Sequence, residues 1–100
     1  MIVSFRHKAV EEIFRTGKSR KINSEHWAKI KQMLDFLNIM PSEYVITEMV
    51  QWAPHRLHGK NNSGQDINQH WALKVSANYR LTYFFTEDGN VVLVDYIDYH

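Results

Sequence analysis

Hydrophobic and polar positions along the chain follow one period in its first forty residues and another in its last thirty. Ala9, Val10, Ile13 and Phe14 recur at three- and four-residue spacing. That spacing marks one apolar helix face and predicts a helix over residues 7–16. Gly17 stands where a left-handed C-terminal cap belongs. Ahead of this helix, Ile2 to Phe5 is short, apolar and β-prone, and reads as a first strand. The basic link Lys18-Ser19-Arg20-Lys21 leads to a second helix, which Asn23 or Ser24 can cap. Trp27, Ile30, Leu34 and Leu37 share one face with Met33 beside them. Lys29, Lys31, Gln32 and Asp35 fall to solvent, and Pro41 ends the helix. The two helices are expected to form a hairpin lying on a sheet.

From Trp71 onward the period is two, as strands require. Trp71, Leu73, Val75 and Ala77 alternate with Ala72, Lys74, Ser76 and Asn78; Tyr79, Leu81, Tyr83 and Phe85 alternate with Arg80, Thr82, Phe84 and Thr86. A tight turn near Asn78 joins these runs. Asp88-Gly89 is a hairpin signal, after which Val91 to Tyr99 completes a three-stranded antiparallel meander. Residues 42–69 are less periodic. Tyr44-Val45-Ile46-Thr47 fits a strand or a short helix, Pro54 breaks what precedes it, and His55 to His58 is a candidate short strand. Gly59 to Gln65 holds two Gly, two Asn and a Ser, and reads as a mobile loop. The predicted fold class is therefore α+β: two N-terminal helices packed on one face of a small antiparallel sheet, in one domain spanning residues 1–100.

Composition narrows the function classes. At 100 residues, 44% hydrophobic and with 13% aromatics, the chain has material for one core, since a domain of this size buries roughly 65% of its extended surface. It has no cysteine, which removes disulfide and thiolate chemistry. Met1 to Lys8 contains no apolar signal region, and the run Val91-Val92-Leu93-Val94 is far short of a bilayer span of about 20 residues. A cytoplasmic chain with no membrane partner is expected. The net charge of +1 is unevenly spread: residues 1–40 carry eight Lys/Arg against four Asp/Glu, and residues 41–100 carry four against seven. A basic half suits a polyanion surface, although a solvated helix face gives the same count.

No Gly-rich phosphate loop and no Ser-His-Asp signature is present, so acid–base groups are the remaining candidates. His occurs six times. His55-x-x-His58 could be half a zinc site, but no cysteine or tight carboxylate cluster completes it, and neither a metal nor any other cofactor is expected. Asp98, Tyr99 and His100 put a carboxylate, a phenol and an imidazole side by side. Alternation sends Asp98 and His100 to one side and Tyr99 to the other. A frayed tail is the competing reading.

Several stretches together resemble the HigB branch of the RelE-like toxins, also called plasmid-maintenance killer proteins. They are Arg56-Leu57-His58, Trp71-Ala72-Leu73-Lys74-Val75, Asn78-Tyr79-Arg80-Leu81-Thr82-Tyr83-Phe84, Asp88-Gly89 and Asp95-Tyr96-Ile97-Asp98-Tyr99-His100, joined by the opening Ile2 to Lys8 and by Phe14 to Gly17. The resemblance implies the same fold, two helices on an antiparallel sheet of the RelE-like microbial ribonuclease type. It implies a metal-independent endoribonuclease that cuts messenger RNA in the decoding site of the small ribosomal subunit. It also implies a helix-turn-helix antitoxin as partner, with operator DNA bound only through that antitoxin. Carried over by position, His58 and His100 are the acid–base pair, Asp98 is the site carboxylate, Tyr99 orients or stacks a base, and Arg80 grips the scissile phosphate. Lys60, Lys74 and Arg56 are RNA- and phosphate-binding candidates, while Lys18, Arg20, Lys21, Lys29 and Lys31 would contact the ribosome.

The chain departs from the family where a compact His-Pro-Leu-Lys-Gly stretch is usual. Here His58-Gly59-Lys60-Asn61-Asn62-Ser63-Gly64 and further residues precede Trp71. Tyr79 stands where Trp is common, and Ser76 where some members are basic. The altered loop motivates a second reading, a non-catalytic module of the same fold that binds an antitoxin or the ribosome. A metal-dependent hydrolase using His55 and His58 is a third.

Overall fold

In the computed structural model, which describes residues 1–99, the N-terminal half forms two helices, α1 over Lys8–Thr16 and α2 over Trp27–Ile39. His7 caps α1, its Nδ1 accepting from the Ala9 amide at 3.2 Å. Gly17 closes it at φ 85, returning its N–H to the Ile13 carbonyl at 2.7 Å. A Cβ is unfavourable at that angle, so glycine suits the cap. Asn23 caps a single tight turn, Ser24–His26, by accepting from the Glu25 amide at 3.0 Å, and α2 continues from it. The Trp27 indole donates to the Ile22 carbonyl at 2.8 Å, which ties the start of α2 to the interhelical link.

Four antiparallel strands follow in sheet order: β1 (His55–Arg56), β2 (Trp71–Lys74), β3 (Tyr79–Phe85) and β4 (Val91–Asp98). Both helices lie on one face. Ala9, Val10 and Ile13 of α1 and Ile30, Met33, Leu34 and Leu37 of α2 close over Leu73, Leu81, Tyr83, Val91 and Val94. The expected N-terminal strand is reduced to two bridging positions, Ile2 to Val91 and Phe5 to Val94, and runs parallel along the free edge of β4. The expected β2 stops early because the amides of Val75 and Ser76 both donate to the Tyr79 carbonyl, which makes 75–78 a tight turn.

The ambiguous middle resolves into tight helical turns at Glu43–Glu48 and Val50–Trp52, burying Ile46 and Trp52. The candidate strand at 55–58 shortens to its first two residues, although the Leu57 amide still reaches the His70 carbonyl at 2.8 Å. The loop expected to be mobile has its own internal bonding. Asn61 N donates to Gln65 O at 2.9 Å, Ile67 N donates to Gly59 O at 2.9 Å, and Lys60 bridges Asp66.

One irregularity decides which side chains share a face. Leu93 sits at φ 57, and the β3–β4 register shifts between Thr82 and Phe84, as an extra residue in β4 requires. The bulge lets Val91 and Val94 both face the helices. Beyond it Thr82 pairs with Asp95, Arg80 with Ile97 and Tyr79 with Asp98. Paired residues share a face, so Asp95, Ile97 and Tyr99 join Arg80 on the outer face, while Tyr96 and Asp98 turn toward the helices. Among the described residues no helix is long and apolar enough to cross a membrane.

Candidate active site

On the outer face the short turn after β2 builds an anchor for Arg80. With its strand ended at Lys74, the chain presents the carbonyls of Ser76 and Tyr79, and the Arg80 guanidinium donates to them at 2.7 and 3.1 Å. The same turn receives the end of β4: the Tyr99 amide donates to the Asn78 carbonyl at 2.7 Å. The guanidinium then lies over the Tyr99 ring, 5.1 Å from its centroid. Burial raises the Tyr99 phenol above its usual value and the nearby Arg80 charge opposes the rise, so the hydroxyl is a proton donor at neutral pH. Lys74 pairs with Arg80 across β2 and β3, which puts a second cation on the same face.

The loop between β1 and β2 arches over this face and leaves a cleft of about 610 Å³. Lys60, Asn61, Asn62, Ser63, Gln65 and Ile67 form one wall, and residues 95–99 form the other. Lys60, Asp98 and Tyr99 are thereby brought to a common space. His58 is exposed at the root of the loop, outside the lining of the cleft. His100 lies outside the described residues.

Asp98 is exposed and lines the cleft from the helix-side register position opposite Tyr79. Behind it Tyr96 stacks flat on Tyr79, centroids 4.8 Å apart and planes 2° from parallel, and its hydroxyl lies 3.0 Å from His26 Nδ1. Burial first, then Tyr79 and the Asp98 charge, push the Tyr96 phenol up to about 12. The turn that leads into α2 thus braces the strand that ends at Asp98.

Arg56 stands elsewhere. Paired with Trp71 on the helix side of the sheet, it binds Glu43 at 2.8 Å and the Tyr44 hydroxyl at 2.8 Å, and it lies 4.7 Å from the Trp71 ring centroid. Trp71 Nε1 donates to the same Glu43 carboxylate at 2.9 Å. Arg56 therefore pins the 43–48 turn to the sheet. Of the basic residues on the helical hairpin, Lys18, Arg20 and Lys21 are exposed in the link, while Lys29 and Lys31 are half-buried on α2. Lys31 is engaged by Asp35 at 2.7 Å and lies over Phe14. His55 is exposed, and no group of three metal-ligating residues occurs among the described residues.

Two features escaped sequence reasoning. The amide-rich wall of the cleft was visible as composition, but its ordering was not. His70 is buried on the outer face, its ring 5.4 Å from Phe84 and its Nδ1 without a hydrogen bond among the described residues. Burial and the nearby Arg6 lower its pKa, against smaller opposing effects of Asp66 and Asp95.

Two helices on one face of an antiparallel sheet, with arginine, lysine and tyrosine gathered on the other, define a protein of RelE-like architecture. Residues 3–100 match the family described as RelE-like toxin of type II toxin-antitoxin system HigB, and the chain belongs to that family. It is 26% identical over 100 residues, the whole of both chains, to Endoribonuclease HigB of Proteus vulgaris. Membership in a type II toxin family implies an antitoxin partner.

Proposed function

We propose that this chain is a cytoplasmic, single-domain toxin that arrests translation by cutting messenger RNA on the ribosome, with no metal in the chemical step. The observation that carries the reading is the cleft in which Lys60 faces Tyr99, whose ring lies under the Arg80 guanidinium. The Proteus vulgaris relative, named an endoribonuclease, supports the same activity.

A general base takes the proton of a ribose 2′-hydroxyl, and the O2′–phosphorus bond forms. The bond from phosphorus to the 5′-oxygen breaks, and a general acid protonates that oxygen. A 2′,3′-cyclic phosphate and a 5′-hydroxyl result. His58 and His100 are the acid–base candidates, with Asp98 as the site carboxylate. Arg80 stabilises charge on the phosphorus oxygens, because its planar fork matches phosphate geometry. Its anchoring by the carbonyls of Ser76 and Tyr79, with that of Ala77 at 3.4 Å, limits reorganisation as that charge develops. Tyr99 offers a base a stacking surface worth about 1–3 kcal/mol. Lys60 and Lys74 meet the flanking phosphates. The exposed Lys18, Arg20 and Lys21, with Lys29 and Lys31, form the ribosome-facing surface. The partner is a helix-turn-helix antitoxin, through which operator DNA is bound.

The test compares one message, free and in a translating reaction, by mapping new 5′ ends. The expected result is 5′-hydroxyl ends inside the translated region only. Arrested translation with intact message would assign the chain to the non-catalytic reading instead.

A further inference from the structure

The loop wall of the cleft is built unlike the strand wall, and the difference points to base recognition. Asn61 turns its side chain into the loop. Its Oδ1 accepts from the amides of Ser63 at 3.0 Å and Gln65 at 2.9 Å, and its Nδ2 donates to Gln65 Oε1 at 2.7 Å. Gly64 takes φ 78, and its N–H returns to the Asn61 carbonyl at 3.0 Å. Two amide side chains are thus consumed in shaping the tip.

What this leaves at the tip is Asn62 and Ser63. Both line the cleft, both are exposed, and neither side chain makes a hydrogen bond among the described residues. On the other wall stands Tyr99, 44% exposed and held by Arg80. A carboxamide presents a donor and an acceptor side by side, the pattern that base edges also present. Single-stranded RNA is read in this way, by stacking a splayed base on an aromatic ring and hydrogen-bonding its edge. A preorganised tip also lowers the ordering cost that a floppy loop would bring to binding.

We infer that Asn62, assisted by Ser63, is the specificity-determining group of the cleft and reads the edge of the RNA base that stacks on Tyr99. The inference rests on the nuclease reading and adds to it the residues that select the cleavage site. Lys60, two positions away, supplies charge to the backbone and carries no sequence information.

The experiment maps 5′-hydroxyl ends across a pool of translated messages for the wild type, Asn62→Ala, Asn62→Ala/Ser63→Ala and Lys60→Ala, with melting curves for each. The ratio of cutting rates at favoured and disfavoured triplets should fall about tenfold in Asn62→Ala, toward the lower end of what a bidentate base contact discriminates. It should fall further in the double variant, with melting temperatures unchanged. Lys60→Ala should slow all sites by a similar factor and keep the ratio. An unchanged ratio in the double variant overturns the inference, as does a loss equal at every triplet. A wild type that leaves no 5′-hydroxyl ends overturns the nuclease reading itself, and this inference with it.

Discussion

Replacing Arg80 separates the two roles assigned to it, because they have different sizes and different readouts. Its structural share comes from bonds to the Ser76 and Tyr79 carbonyls at 2.7 and 3.1 Å and from the contact with the Tyr99 ring at 5.1 Å. Hydrogen bonds from a charged donor contribute about 1.5–3 kcal/mol, and the half-exposed position of Arg80 brings the estimate to the low end. The ring contact adds about 0.5–1 kcal/mol. Arg80→Ala should therefore cost about 2 kcal/mol, and the melting temperature should fall by roughly 10 °C for a domain of this size. Its chemical share is larger. Removing one preorganised donor from a developing oxyanion slows turnover by about 10²–10³. Arg80→Lys keeps the charge but loses the fork, and should fall between wild type and alanine. The assay is single-turnover cleavage of an end-labelled message on programmed ribosomes at saturating toxin, run below the melting range of every variant. A folded Arg80→Ala that cuts within about threefold of wild type would refute the assignment, since a difference that small removes little transition-state stabilisation.

Two further outcomes follow from groups outside the chemistry. His70 has a folded pKa below its unfolded value of 6.5, so the unfolded chain binds more protons and stability falls as pH drops below about 6.5. Urea titrations between pH 7.5 and 5 should show this loss, at most about 1.4 kcal/mol per pH unit from one proton, and His70→Leu should flatten the slope in that window. Arg56→Ala should lower stability by about 1–3 kcal/mol, because it leaves the partly buried Glu43 carboxylate with the Trp71 indole but without its cation. Its cleavage rate, measured at a temperature where it is folded, should stay closer to wild type than that of Arg80→Ala.

Much of the architecture was legible because local chemistry and tertiary need agree. The helix stripes, the Gly17 cap and the Asp88-Gly89 turn each depend on neighbours in sequence, and each is where periodicity or turn chemistry puts it. The remainder depends on partners far along the chain. Nothing in Val91-Val92-Leu93-Val94 announces that Leu93 takes φ 57, because the bulge is selected by the need to bury both Val91 and Val94 against the helices. That bulge places Tyr99 on the face of Arg80 and Asp98 on the other, whereas alternation separates the two without saying which side Arg80 shares. Residues 44–47 fit a strand or a short helix in sequence because what holds their turn, Arg56 and Trp71 on Glu43, lies in β1 and β2. In the candidate site, the resemblance named Lys60, Asp98 and Tyr99 one by one, and the fold brings them to one cleft, a juxtaposition that spacing alone would not have given. Gly59 to Gln65 reads as mobile by its composition, yet Gly59, Asn61 and Gly64, which help give that impression, bond the loop into shape.

In the proposed mechanism the nucleophile belongs to the RNA, and the protein supplies only proton transfer and charge. Substituting a 2′-O-methyl group at the cleaved nucleotide of a ribosome-bound message tests it directly. The expected result is no cut at that nucleotide and unchanged cutting at unmodified sites in the same message. Cleavage at the modified nucleotide, leaving no cyclic phosphate, would mean that water or a protein group attacks phosphorus, and the mechanism argued from Arg80, Tyr99 and the cleft would be wrong.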